Sequence, residues 1–334
     1  MMKKILKARE TTSFLFLAAL FLLVGIINPS FLTLSNISAC FNTSVVYTLI
    51  AVGMAFAIFV GEIDVSVGSN LGLVAAVVGT MIQNGSNWFA AFAVGICIGA
   101  VVGLINGWGV AVMKIPSLIF TLGTNGILRG MMYLQVGAEQ VNQLPKAFKD
   151  ISSMTLVGSF TIYYCCAVLL TLLIHALLTR TRKGRYFIAV GDNAGGAELV
   201  GIPATRTKVL AYVICGVLSA IGGIIFCSRI GIVTSLSGNG YEMKAVAACV
   251  LGGISLSGGV GSVIGAAIGA VIMASISYLL VFMNFSSNYD NAITGVILIT
   301  IVVIDALMQH RAAVNNRHAR LSARTAASGK EGTK

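Results

Sequence analysis

The chain has 334 residues, of which 57% are hydrophobic and only 10% charged, and its mean hydropathy is +0.93. A soluble domain carries about 25% charged residues, so this composition excludes one and specifies an integral membrane protein. The formal net charge of +11 does not point to nucleic acid, because the cations sit mostly in loops and tails, where they orient spans.

Allowing about 17–25 residues per span, ten helices are predicted, at 11–28, 43–60, 65–82, 88–113, 116–136, 157–179, 208–230, 241–257, 260–282 and 290–308. The fold class is therefore an all-α polytopic membrane protein of about ten transmembrane helices, with a span domain over 11–308. The first, TTSFLFLAALFLLVGIINP, has no Ala-x-Ala cleavage pattern after it and reads as a span rather than a signal peptide. Asn28-Pro29, Gly85-Ser86-Asn87, Ile115-Pro116 and Gly238-Asn239-Gly240 separate neighbouring spans. For the eighth and ninth, a Gly-rich joint leaves two full spans and a re-entrant pair both open. With the N-terminus inside, 17 of the 22 Lys and Arg fall on the cytoplasmic side, and only Lys146 and Lys149 fall in outer loops. That asymmetry predicts cytoplasmic termini, 1–10 and a basic disordered tail over 309–334.

Between the second and third spans lies IFVGEIDVSVGSNLG, residues 58–72, which holds Glu62 and Asp64 in a chain with eleven acidic residues. A carboxylate at membrane depth costs roughly 2.5–3.5 kcal/mol, so the pair needs a role. Asp64 or Ser66 is placed to cap a helix starting near 65, and Glu62 is expected near cytoplasmic water. GEIDVSVG at 61–68 aligns without gaps on GGISLSGG at 252–259, which suggests an internal repeat of this joint. Glycines repeat every four residues at Gly95, Gly99, Gly103 and Gly107, and again at Gly261, Gly265 and Gly269. One small face per helix allows close backbone approach, for tight packing or for a moving contact.

Arg129 falls inside 116–136 with Asn125 one turn before it, an intramembrane cation that suits a polyol ligand, snorkelling or a salt bridge. Glu242 and Lys244 flank the outer end of the eighth span, at a cavity mouth, a docking surface or in surface pairs. The seven cysteines lie in or beside apolar runs with no CxxC or Cys/His spacing, so they pack as small hydrophobes and hold no metal. No phosphate-binding GxxxxGK[ST] loop occurs, and His175, His310 and His318 are scattered, with no HExxH or GxSxG; neither cofactor nor catalytic site is predicted. The long cytoplasmic segment 179–208 is patterned: Asp192-Asn193 can cap a short helix over 194–200 that Gly201 ends, a shape suited to docking a partner.

GRYFIAVGDNAGGAELVGIPATRTKVLAYVICGVLSAIGGII and GYEMKAVAACVLGGISLSGGVGSVIGAAIGA resemble permease subunits of bacterial ATP-binding-cassette importers for monosaccharides. GEIDVSVGS and KIPSLIFTLGTNGILRG resemble the N-terminal half of the same family, so the likeness covers about residues 40–308. Within it, autoinducer-2 import permeases are the most similar, at GDNAGGAELVG and EMKAVAACVLGGISL, with ribose-, xylose- and rhamnose-type permeases sharing the framework. The resemblance implies inner-membrane sugar import powered by ATPase subunits in other chains, with a periplasmic sugar-binding protein and a second permease. It makes 180–208 the coupling loop, carried by Arg185, Gly191, Asp192, Asn193, Glu198, Gly201 and Ile202. Glu62, Asp64, Asn106, Asn125, Arg129 and Glu242 are the expected path or gate residues. An ion-coupled secondary carrier, which needs carboxylates such as Glu62, Asp64, Glu242, Asp290 or Asp305 in mid-span, is the rival class, and an intramembrane enzyme the third.

Overall fold

The computed structural model describes residues 9–137, 140–286, 289–300 and 302–303. Asp305, His310, His318 and the basic tail lie outside the described residues. Helices dominate: α1 (Arg9–Ile27), α2 (Leu34–Thr43), α3 (Val45–Phe59), α4 (Val67–Gln83), α5 (Trp88–Gly107), α6 (Ser117–Val136) and α7 (Lys146–Asp150). After a hairpin of β1 (Thr155–Val157) and β2 (Phe160–Thr161) come α8 (Ile162–Arg180), α9 (Arg182–Asp192), α10 (Ala194–Leu199), α11 (Ala204–Ile230), α12 (Tyr241–Leu251) and α13 (Val263–Phe282). Residues 289–300 are also helical.

Four of these helices are long and apolar enough to cross a membrane: α5 with its five-residue π-helical extension to Val112, α8, α11 and α13; the bent pair α2–α3 makes a fifth. The expected span 43–60 is thus the second part of a longer element, bent by 43° at Ser44. The expected span 157–179 starts later, at Ile162, because residues 155–161 form the hairpin and the Thr161 side chain caps α8 through Tyr164 N–H. The largest correction concerns 241–257. Only Tyr241–Leu251 is helical, about 16 Å at 1.5 Å per residue, which is too short to span. The chain then turns through 252–262 before α13, so this is a half-length helix and joint followed by one full helix.

α3 is the centre of the fold, with every residue from Val45 to Phe59 buried. An all-round apolar helix has no solvent or lipid face and is enclosed by neighbours; here these are chiefly α11, α12 and α13. The glycine faces serve packing. A Cβ on Gly99 would lie 2.4 Å from the Gly216 carbonyl oxygen of α11, and one on Gly103 would lie 2.3 Å from that of Tyr212. On α13, Gly265 and Gly269 admit the backbone of α12 in the same way. We expect Gly103→Val to destabilise the purified protein by at least about 1–3 kcal/mol. Gly123→Ala, whose Cβ enters open space, should stay within about 0.5 kcal/mol. Thermal unfolding in detergent distinguishes the two.

Candidate functional site

The joint after α3 is built as a helix stop followed by a climb. Gly61 takes a left-handed φ of +78°, with Gly61 N–H donating to the Ile58 oxygen and Glu62 N–H to the Ala57 oxygen. The joint after α12 has the same form: Gly253 at φ +84°, Gly253 N–H to Val250 O, and Ile254 N–H to Cys249 O. The equivalent residues are therefore Gly61 and Gly253, one position away from the ungapped sequence match, which paired Gly61 with Gly252. The two joints share a turn, while the aligned Ile and Ser do not correspond.

From Gly61 the chain rises along α11. Glu62 pairs with Lys208 at 2.6 Å, the Tyr212 hydroxyl donates to the Ile63 oxygen, and the Ser219 hydroxyl donates to the Val67 oxygen. Lys208 to Ser219 is about 16 Å of helix, so α4 starts deep inside the fold. Asp64, two residues after Glu62, is only 1% exposed. It accepts from Ser66 N–H (2.9 Å), Ser66 Oγ (2.6 Å) and Asn106 Nδ2 (3.2 Å). The helix cap expected of it is not made: α4 begins at Val67, Ser66 at its N-cap makes no side-chain bond to the helix, and Asp64 closes the turn before it. Val65 N–H donates to Thr121 Oγ1 of α6, so α5, α6 and α11 all hold this joint. These three donors satisfy the polar side chain of Asp64 in the interior.

The patterned cytoplasmic segment folds as α9 and α10. Asn193 Oδ1 accepts from Gly196 N–H at 2.8 Å and caps α10, and Gly201 follows at φ +82°. Asp192 ends α9 and takes no part in the cap. Phe187 anchors α9 edge-on against Phe56 of α3, with centroids 5.0 Å apart. At the inner end of α9 the backbone of Gly191 fits between both joints. A Cβ there would lie 1.7 Å from the Phe59 oxygen and 2.5 Å from the Gly259 nitrogen. Gly259 N–H donates to that same Phe59 oxygen at 3.0 Å, and Gly258 packs against Gly61. One backbone junction therefore joins α9, the α3–α4 joint and the α12–α13 joint.

Facing outward, Arg185, Glu198, Leu199 and Val200 are exposed, with Leu199 at 90% and Val200 at 76%. Ile202 is half-buried, and Ala197 tethers α10 to the core. Leu199 ends α10 and Val200 caps it, and the outward direction of these two apolar side chains is what sequence reading missed, since nothing in ELVG states which way they face. A groove lined by Glu62, Lys114, Glu198 and Lys208 runs beside it, and a second, with His175, Arg185 and Asp192, opens between α8 and α9.

The remaining expected path residues form a separate cluster. Arg129 Nη1 donates to the Ser237 oxygen at 2.7 Å, and no salt bridge to it occurs among the described residues. Glu242 is 9% exposed, with Oε1 accepting from Gly240 N–H at 3.3 Å. Lys244 does not pair at the surface: it forms a buried ion pair with Asp290, 7% and 17% exposed in their side chains, and donates to Tyr47 and Ser277. The structure thus brings Glu62, Asp64 and Asn106 together around one joint, and Asn125, Arg129 and Glu242 around another region. No cluster of metal-ligating side chains occurs among the described residues.

Residues 36–302 match the family described as branched-chain amino acid transport system / permease component. The chain is similar to the autoinducer 2 import system permease protein LsrC of Enterobacter sp. (strain 638), 39% identical over 94% of this chain and 92% of the relative. The protein of that name in Yersinia pseudotuberculosis serotype O:1b (strain IP 31758) is 37% identical over 100% and 95%, and that in Salmonella typhimurium over 92% and 89%. No solved structure matches. By this match over residues 36–302, and by relatives 37–39% identical over nearly the whole chain, the chain belongs to the branched-chain amino acid transport system / permease component family.

Proposed function

We propose that this chain is the membrane subunit of a bacterial ATP-binding-cassette importer that carries a sugar-like solute, of the autoinducer-2, ribose or rhamnose kind, into the cytoplasm. It sits in the inner membrane with both termini cytoplasmic and passes ten times, counting α2–α3 as one bent pass and α12 with its joint as one incomplete pass. ATPase subunits dock on α9 and α10 from below, a periplasmic binding protein delivers the solute from above, and a second permease, identical or paralogous, completes the pathway. The observation that carries this reading is the backbone junction at Gly191, which links an exposed docking helix to both joints. A push on Leu199 and Val200 would move α9, and with it the two joints that start α4 and α13. The names of the relatives support the solute class.

A second reading, an ion-coupled carrier, is favoured by Asp64, a fully buried carboxylate with no ion-pair partner among the described residues. Proteoliposomes containing the full complex and loaded binding protein test the solute class. Uptake of labelled autoinducer 2, ribose or rhamnose supports the proposal, and uptake of leucine alone contradicts it.

A further inference from the structure

The cluster around Arg129 carries a feature that packing does not use. Three polar atoms there are buried and without a hydrogen-bond partner: Asn125 Oδ1, Arg129 Nη2 and Glu242 Oε2. Asn125 and Arg129 are one turn apart on the same face of α6. Arg129 and Glu242 converge through α4. Its Gly72 faces the Ser237 oxygen that Arg129 holds, and its Gly68, one turn earlier, faces Glu242 Oε2 and the Gly238 oxygen. Glu242 also lies within Coulombic reach of Arg129. The two opposite charges do not close on each other, because each is tied elsewhere: Arg129 to Ser237 O, and Glu242 to Gly240 N–H. An open donor and an open acceptor left buried each carry an uncompensated desolvation cost. Two of these atoms lie one turn apart on α6, and the third faces them from α12 across the glycines of α4.

We infer that Asn125, Arg129 and Glu242 form a hydrogen-bonding station for a neutral molecule with neighbouring hydroxyls on its way through the permease; this rests on the import reading above. A hydroxyl is both donor and acceptor, so one hydroxyl accepts from Arg129 Nη2 and donates to Glu242 Oε2. A second donates to Asn125 Oδ1. A simple anion is repelled by Glu242 and a simple cation by Arg129, so the station selects uncharged polyols. Among charged solutes only a zwitterion could satisfy both charges, which makes an amino acid the opposing solute.

The test uses the complete importer in proteoliposomes, with autoinducer 2, its analogue lacking one hydroxyl, and leucine as probes. ATP hydrolysis stimulated by loaded binding protein is followed in parallel. Wild type should take up autoinducer 2 at least about tenfold faster than the deoxy analogue, because a site built to bond a hydroxyl is left unpaired without it. Glu242→Gln and Arg129→Gln should bring that ratio near one while ATP hydrolysis persists. Asn125→Ala, at a half-buried position, supplies the same readout if the charge variants lower the yield. A role in folding alone would lower rates for both compounds and leave the ratio unchanged. An unchanged ratio in all three variants, or preferred uptake of leucine, overturns the inference while ATP-driven uptake still stands. Absence of ATP-driven uptake in wild type overturns the import reading, and the station with it.

Discussion

Gly191→Ala is expected to leave ATP hydrolysis by the assembled complex within about twofold of wild type and to cut uptake at least about tenfold. A single methyl would lie 1.7 Å from the Phe59 oxygen and 2.5 Å from the Gly259 nitrogen. Both obstacles are backbone, so no side chain can rotate away, and the junction must open. Overpacking of this kind costs about 1–3 kcal/mol, and each 1.36 kcal/mol on a rate-limiting step is a factor of ten. The contact at risk is the Gly259 N–H bond to Phe59 O, which holds the two joints together under α9. Gly195→Ala is the matched control, because its Cβ would meet only Asn193 Oδ1 at an ordinary 3.6 Å. Hydrolysis and uptake measured on one proteoliposome preparation decide the matter. Equal uptake from Gly191→Ala and wild type would show that α9 does not drive the joints.

Lys244→Met is expected to be the most destabilising single charge removal, at about 3–5 kcal/mol, because it strands Asp290 in the interior. Lys244 bonds Asp290, lies 5.3 Å from the centroid of the Tyr47 ring, and donates to Tyr47 and Ser277 hydroxyls. Asp290 accepts from Ser277 as well, at 2.9 Å. Tyr47 in turn stacks on Tyr241 at 5.0 Å. The pair ties the half-length α12 to the last described helical segment, 289–300, and to α13 through Ser277. Combining Lys244→Met with Asp290→Asn should recover most of the loss, since neither charge is then left alone. Unfolding midpoints of the two single variants and the double variant in detergent give the coupling directly. Additive losses would show that the pair is not the stabilising contact.

Much of this fold is written in the local sequence. α5, α6, α8, α11 and α13 follow from apolar runs bounded by turn residues, and α10 follows from Asn193 and Gly201. The shortness of α12 does not, because 241–257 continues the apolar and small-residue run through Gly252-Gly253-Ile254. Gly252, packed against Gly265 of α13, and the left-handed Gly253 after it end the helix at Leu251. The depth of Asp64 was illegible for a related reason. The sequence places it beside a helix start, but Asn106, Thr121 and Tyr212, forty or more positions away, draw the joint inward. The pairing of Lys244 with Asp290 spans 46 positions and depends on how α13 returns the chain. The outward face of Leu199 and Val200 is set by Ala197 and α11, which helical periodicity over six residues cannot reveal.

The driving force separates the importer reading from an ion-coupled carrier most directly. Inside-out vesicles would hold this chain with its partner permease, with and without the ATPase subunits, and binding protein in the lumen. Transport of labelled autoinducer 2 out of the lumen should require both ATP and the ATPase subunits, and should be unaffected when the pH gradient is collapsed. Transport without ATPase subunits that follows an imposed pH gradient, and that stops in Asp64→Asn, would contradict the importer reading and make Asp64 the coupling carboxylate.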